Sequence, residues 1–311
     1  MSTTTEARRL LEPAITALNG IVLGKDRQVR LALACALARG HLLIEDLPGV
    51  GKPTLAQALA RVLGLSYQRV QFTSDLLPAD VIGVSVFDRE RSSFEFRRGP
   101  IFAQLLLADE VNRATPKAQS ALLEAMEERQ VTVDGVTHAL PEPFFVVATQ
   151  NPSYQIGTYP LPESQLDRFL MRIELGYPDP PHERELLRGR DRRSLLAGLK
   201  PALSVEALKV LQAAVPTLHV AEPLLDYVQA LVRHTRDSGH FEAGLSPRAA
   251  IALLRASQAW ALLHGRSGVL PEDVQAVTRA VVGHRLQLRS AVDGDAATDL
   301  DGLLLQAVPV P

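Results

Sequence analysis

An apolar strand that runs into a glycine loop and then into a helix restricts this chain more than any other feature. Leu42-Leu43-Ile44 leads into Glu45-Asp46-Leu47-Pro48-Gly49-Val50-Gly51-Lys52-Pro53-Thr54, and the helical pattern LAQALARVLG follows. Glycines allow the loop backbone to turn its N–H groups inward toward phosphate oxygens. The helix N-terminus adds partial positive charge and Lys52 a full one. Pro48, Gly49, Val50, Gly51, Lys52, Pro53 and Thr54 are therefore the candidate phosphate-binding residues; the contrary reading is an ordinary tight turn between strand and helix.

The loop departs from the pattern GxxxxGK[ST] twice. Asp46 stands at the first glycine position, and Pro53 stands where a Ser or Thr normally gives its hydroxyl to Mg²⁺. Proline has neither hydroxyl nor N–H, so one metal ligand and one phosphate donor are missing there. Pro53 suits the first turn of a helix, and Thr54 is the candidate replacement ligand if that turn shifts slightly. Nucleotide binding is expected; hydrolysis depends on how the metal is held.

Four short apolar runs read as buried parallel strands: Leu42 to Ile44, Val70 to Phe72, Leu105 to Ala108 and Phe144 to Ala148, with Arg172 to Leu175 as a fifth. Strands alternating with helices imply βαβ units, a parallel sheet covered on both faces, and ligands bound beyond the C-terminal strand ends. Two β-hairpins interrupt the alternation. Val84 to Phe87 and Phe94 to Phe96 flank the turn-like DRERSS, and Val131 to Val133 meets Asp134-Gly135. Beyond the cluster Tyr177-Pro178-Asp179-Pro180-Pro181, helices are expected over Ser204 to Val215, Pro223 to Arg236, Ser246 to His264 and Pro271 to Val282. The expected division is residues 1–178, an αβα nucleotide domain, and residues 179–311, a small all-α domain. Trp260 reads as helical core, and Cys35, the single cysteine, as a core position without chemistry.

Leu105-Leu106-Leu107-Ala108-Asp109-Glu110 places two carboxylates at the strand end where phosphates should lie. Asp109 is expected to hold Mg²⁺, commonly through water, and Glu110 to polarise the attacking water. Phe145 to Ala148 exits into Thr149-Gln150-Asn151-Pro152, where Asn151 could orient that water; alone, an asparagine before proline is a turn former.

Together these segments resemble the MoxR group of AAA+ ATPases. The resemblance runs from about Ile21 to Pro178, in EDLPGVGK, FEFRRGPIF, LLLADEVNRATPKAQSALLEAMEERQVTVDG, ATQNP and YPLPESQLDRFLMRI, and more weakly in LSPRA and VLPEDV of the C-terminal part. It implies an AAA+ P-loop αβα domain with hairpin insertions and a helical lid, binding ATP/ADP and Mg²⁺. It also implies Asn151 as sensor 1, Arg248 as the lid arginine that meets the γ-phosphate, and Arg168 as an arginine finger directed at a neighbouring subunit's nucleotide. Outside that context Arg168 would be a surface residue paired with Asp167 or Glu163, and Arg248 a solvated residue near a helix start. Arg113 follows the acidic pair with no role set by spacing. Similarity to magnesium-chelatase and MCM-type motors implies a homo-oligomer, a hexameric ring. The group further implies chaperone-like maturation of protein clients together with von Willebrand factor A domain partners.

Composition narrows the alternatives. Of 311 residues, 46% are hydrophobic and 22% charged, ordinary for a packed protein, and the formal net charge of −2 carries no long basic block that would favour nucleic acid or a membrane surface. No apolar run approaches a bilayer span, and the N-terminus lacks a signal-peptide pattern, so the cytoplasm is the expected location. Two other readings stay open: a nucleotide-binding scaffold impaired in hydrolysis by Pro53, and, more distantly, a DNA motor whose hairpins enter a nucleic-acid channel.

Overall fold

The computed structural model describes residues 3–152, 157–189, 192–289 and 300–310. Its strands are β1 (Leu42–Glu45), β2 (Tyr67–Gln71), β3 (Gly83–Asp88), β4 (Ser93–Arg98), β5 (Leu105–Asp109), β6 (Gln130–Val133), β7 (Val136–Ala139), β8 (Phe145–Gln150) and β9 (Met171–Ile173). Five of them form one parallel sheet in the order β2-β5-β8-β1-β9.

The apolar runs fill both faces of this sheet because side chains alternate along a strand. Leu42, Ile44, Leu105, Leu107, Phe145 and Val147 enter a core shared with the helices Thr3–Ile21, Asp26–Leu37 and Lys52–Val62 and with the C-terminal helices. Leu43, Leu106, Ala108, Val146 and Ala148 enter a second core under the helix Pro116–Glu128. The edge strand β2 differs: Gln68, Arg69 and Gln71 are exposed around buried Val70.

All five strand limits shift from the expected runs by one to three residues, and two of the shifts have a clear cause. β2 begins at Tyr67 rather than Val70, since pairing with β5 recruits the polar residues that an apolar pattern misses. β9 ends at Ile173 rather than Leu175, because the N–H groups of Leu175 and Gly176 donate to Asp46 Oδ2, each at 2.6 Å, and leave the ladder there.

Both expected hairpins are present. β3 and β4 pair with Phe87 opposite Phe94, and the turn between β6 and β7 places Asp134 and Gly135 at φ 49° and 78°, the left-handed conformation that this dipeptide tolerates. Phe96 stacks on His138 at 4.2 Å between ring centroids, so the hairpins adjoin.

After β9 the elements among the described residues are helices, Pro180–Leu187, Arg192–Ala197, Val205–Ala214, Glu222–Asp237, Pro247–Leu263, Pro271–Val282 and Leu300–Ala307, with a short 3₁₀ turn at Val215–Thr217 and two isolated β-bridges. Ser204 and Ser246 cap two of them by accepting the N–H of Ala207 at 3.2 Å and of Ala249 at 3.1 Å. Trp260 is half-buried against the first core rather than fully inside it, its ring 4.9 Å from that of His264. Cys35 is fully buried, and burial pushes its thiol pKa up, so it is no nucleophile. Of the tail after Ser290, residues 291–299 and 311 lie outside the described residues, while Leu300–Ala307 is helical. Among those described, no helix is long and apolar enough to cross a membrane.

Candidate functional site

The glycine loop follows the C-terminal end of β1, beside the exit of β8. Gly49 and Gly51 lie at φ 86° and 95°, a region that other residues enter only with strain, and Gly51 caps the helix Lys52–Val62. Lys52 opens that helix and is 5% exposed. Its ammonium donates to Asn151 Oδ1 at 3.0 Å, to the Gln150 carbonyl at 3.3 Å and to the Asp46 carbonyl. These partners are neutral oxygens, and burial lowers the Lys52 pKa against the opposing pull of Asp46, Asp109, Glu110 and Glu45. A phosphate arriving here would meet a cation already stripped of most water. Pro53 and Thr54 are the next residues of the same helix.

Asp46, the first departure from the loop pattern, has a structural task. Oδ1 accepts the Leu47 N–H at 2.7 Å while Oδ2 accepts the two N–H groups beyond β9, which anchors the loop to the edge strand beside β1. Glu45 pairs with Arg172 at 2.7 Å, and Arg172 donates to the Gly283 carbonyl at 2.7 Å, so this junction also reaches the C-terminal helices.

The acidic pair stands at the end of β5. Asp109 is 5% exposed; Thr149 Oγ1 donates to its Oδ1 at 2.6 Å, and Arg69 donates to its Oδ2 through Nη2 at 2.6 Å and Nε at 3.2 Å. Glu110 adopts a left-handed φ of 56° and donates its N–H to Thr149 Oγ1 at 2.9 Å. Its Oε1 accepts from Asn151 Nδ2 at 3.1 Å; its Oε2 accepts from Gln71 Nε2 at 2.9 Å and pairs with Arg113 Nε at 3.2 Å. Lys52, Asn151 and Glu110 thus form one hydrogen-bonded chain in which the amide oxygen faces the ammonium and the amide nitrogen faces the carboxylate. Buried Asn112 braces it by donating to the Asn151 carbonyl at 3.0 Å.

Among the described residues no group of three or more His, Cys, Asp and Glu side chains forms a metal-binding set. Mg²⁺ bound beside a nucleotide takes one or two carboxylates, phosphate oxygens and water, so Asp109 at the mouth of the loop fits it. Arg69, Gln71 and Thr149 are members that the sequence reading missed. A signal existed for the first two: polar residues two apart on a strand share one face.

Arg168 and Arg248 lie elsewhere. Both pair with Glu127, near the C-terminal end of the helix Pro116–Glu128, and Arg168 Nη1 also donates to the Leu123 carbonyl at 2.9 Å. The partners expected for Arg168 in a plain surface pair are occupied: Asp167 binds Arg285 at 2.7 Å, and Glu163 accepts from Gln287 at 2.7 Å. Hydrogen bonding from Arg248 lowers the Glu127 pKa. His41 locates this cluster, since its ring reaches the Met126 carbonyl at 3.3 Å and its own carbonyl accepts the Leu170 N–H at 2.9 Å, just before β1 and β9 begin. The arginines therefore sit at the N-terminal edge of the sheet and the phosphate loop at the opposite edge, roughly 13 Å away across a four-residue strand at ~3.3 Å per residue. Arg39, Arg129, Arg255 and Arg285 join them around one hollow. Arg248 does not share the cleft of Glu110 and Asn151 in its own chain.

Comparison with known proteins places the chain in a family. Residues 41–171 match the ATPase family associated with various cellular activities (AAA), and residues 233–301 match the AAA lid domain. The chain is 44% identical to the uncharacterized protein YeaC of Bacillus subtilis over 97% of its own length and 95% of that protein. It is 43% identical to the chaperone MoxR1 of Mycobacterium tuberculosis, over 89% of this chain and 76% of that one, and 35% identical to the protein MoxR of Paracoccus denitrificans, over 96% and 95%. A crystal structure from Cytophaga hutchinsonii superposes with a TM-score of 0.90 at 35% identity, covering 99% of this chain and 97% of that one. With its parallel sheet, glycine loop and helical lid region, the chain belongs to the MoxR family of AAA+ ATPases.

Proposed function

We propose that this chain binds ATP and hydrolyses it as a ring, using the cycle to remodel or mature a protein partner. The observation that carries the reading is the continuous contact of Lys52, Asn151 and Glu110 beside Asp109. Backbone N–H groups from Gly49 to Lys52 receive the β- and γ-phosphates, and Lys52 exchanges its neutral partners for their charge. Mg²⁺ would be held through Asp109, with Thr54 the next hydroxyl in the chain after Pro53, and would supply charge neutralisation at the phosphates. Glu110 takes the proton of the attacking water, and Asn151 orients that water from the carboxylate side.

Because Arg168 and Arg248 gather at the far edge of the sheet, they serve a neighbouring subunit's nucleotide rather than their own. That division of labour requires a homo-oligomer, and a hexamer suits the family. The nucleotide part is taken as residues 1–178 and the lid as 179–311. The chaperone name of the Mycobacterium tuberculosis relative supports a protein client, and a von Willebrand factor A domain protein is the partner class we favour, in the cytoplasm. Pro53 favours one second reading, a ring that binds nucleotide yet turns it over poorly. The DNA-motor reading draws no support from the net charge of −2.

Steady-state hydrolysis with Mg²⁺ at several protein concentrations, for the natural chain, Pro53→Thr and Glu110→Gln, tests this. Turnover that rises with assembly and vanishes in Glu110→Gln is the expected result. Tight binding with turnover only in Pro53→Thr would establish the scaffold instead.

A further inference from the structure

We propose that Arg69 competes with the metal ion for Asp109, so that metal loading of the nucleotide site requires this guanidinium to leave. The inference rests on the nucleotide-site reading above. Asp109 is nearly buried, and its two oxygens are not equivalent. Oδ1 faces inward to the hydroxyl of Thr149, which is fully buried, while Oδ2 holds the guanidinium through two N–H groups at 2.6 and 3.2 Å. The oxygen of Asp109 that the buried Thr149 hydroxyl leaves unclaimed is the one Arg69 occupies. Register explains how: Arg69 pairs with Leu107 and Gln71 with Asp109, so the arginine side chain reaches diagonally along β5, and Gln71 Oε1 steadies it by accepting from Nη2 at 3.2 Å.

Three properties make this a competition rather than a fixed brace. An arginine stays charged at any working pH, so it cannot yield the carboxylate by losing a proton and must swing away. Its side chain is 51% exposed on the edge strand β2, whose outer side, among the described residues, carries no further strand of the sheet, so a route for that swing exists. Pro53 has removed one hydroxyl from the metal's ligand set, which concentrates the protein's remaining hold on Asp109 and makes the rival cation more consequential.

The test is equilibrium binding of a fluorescent ATP analogue to the full chain, first in EDTA and then across a Mg²⁺ titration. Arg69→Gln, Arg69→Lys, Asp109→Asn and Lys52→Ala are compared with the natural protein, each checked by its melting temperature. Loss of a charge-assisted contact made by two N–H groups to one oxygen predicts that Arg69→Gln lowers the Mg²⁺ concentration for half-maximal enhancement about tenfold, with Arg69→Lys in between. In Asp109→Asn the dependence on Mg²⁺ should largely disappear. An unchanged or raised half-point in a folded Arg69→Gln overturns the proposal. If that variant melts early, an unchanged half-point in Arg69→Lys does the same. Analogue binding that depends on Lys52 yet shows no Arg69 effect would sink this inference alone; no analogue binding by the natural chain would sink the nucleotide-site reading with it.

Discussion

The two edges of the central sheet handle charge in opposite ways. At the C-terminal edge, Lys52 and Asp109 are each 5% exposed and every partner described for the acidic pair comes from the nucleotide part of the chain: Arg69, Gln71, Arg113, Thr149 and Asn151. At the N-terminal edge, one carboxylate, Glu127, serves two arginines from distant segments, and Arg248 keeps 52% of its side chain exposed. The first arrangement is preorganised for an anion and its attacking water. The second is a set of cations sharing one acid, in which the exposed pair of Arg248 with Glu127 is worth about 0 to 1 kcal/mol and exchanges readily for a stronger anion. On the proposed function, a protomer would carry one nearly finished site and one half of another.

The sharpest way to break that contrast is Arg168→Ala. It should cut turnover in the assembled state by about 10³-fold, the scale of an arginine finger, while nucleotide affinity of the isolated protomer stays within about twofold. Mixing it with Glu110→Gln should restore some turnover, because each variant keeps the half the other lacks. Weakened binding in the isolated protomer would mean that the arginine serves its own cleft.

Lys52→Ala attacks the other edge. Removing the buried ammonium should weaken nucleotide binding by about 100-fold, from charge-assisted hydrogen bonds of ~1.5–3 kcal/mol, visible by fluorescence titration. An effect below about fivefold would remove Lys52 from the site.

The edge beneath the arginines is also where protons should destabilise the fold. Burial pushes the His41 imidazole down from 6.5 to about 4, with its Nδ1 accepting the Val146 N–H at 3.0 Å. The unfolded chain then takes up a proton below about pH 6.5 that the folded chain refuses until about pH 4, so stability is whole above the first value and is lost as pH falls toward the second. A shift of that size corresponds to roughly 3 kcal/mol from His41, and His284, also pushed down by burial, adds in the same direction. Urea unfolding between pH 7.5 and 4.5 should show the decline, with a shallower slope in His41→Gln; equal slopes would rule His41 out as its source.

Glu127→Gln should have the smallest effect. Freeing both arginines should change the nucleotide dependence of assembly by about two- to fivefold, the range of an exposed pair, measured by sedimentation with and without ATP. A change of 100-fold would make Glu127 part of the ring contact itself.

Much of the nucleotide cleft was legible in the residues because its parts are contiguous. Strand, glycine loop and helix follow one another from Leu42 to Val62, and Asp109, Glu110 and Asn151 each close an apolar run whose burial follows from composition alone. Both hairpins were readable for the same reason, through alternation and Asp134-Gly135. Arg69 and Gln71 were not, because they lie on an edge strand whose apolar pattern starts late, and only pairing in register with β5 brings them over the acids. Asp46 looked like a defect in the loop until the chain beyond β9 supplied two N–H groups for its carboxylate.

By itself, then, the sequence determined a phosphate loop, an acidic strand end and a parallel sheet to carry them, since backbone conformation and local patterning act over a few residues. The tertiary structure decided which acid each arginine meets. Arg168 has Asp167 beside it in the chain and pairs with Glu127 instead, while Arg285 takes Asp167. Partner choice among charges is settled by which helix ends a sheet brings to one edge, and that placement arises from the packing of the whole chain.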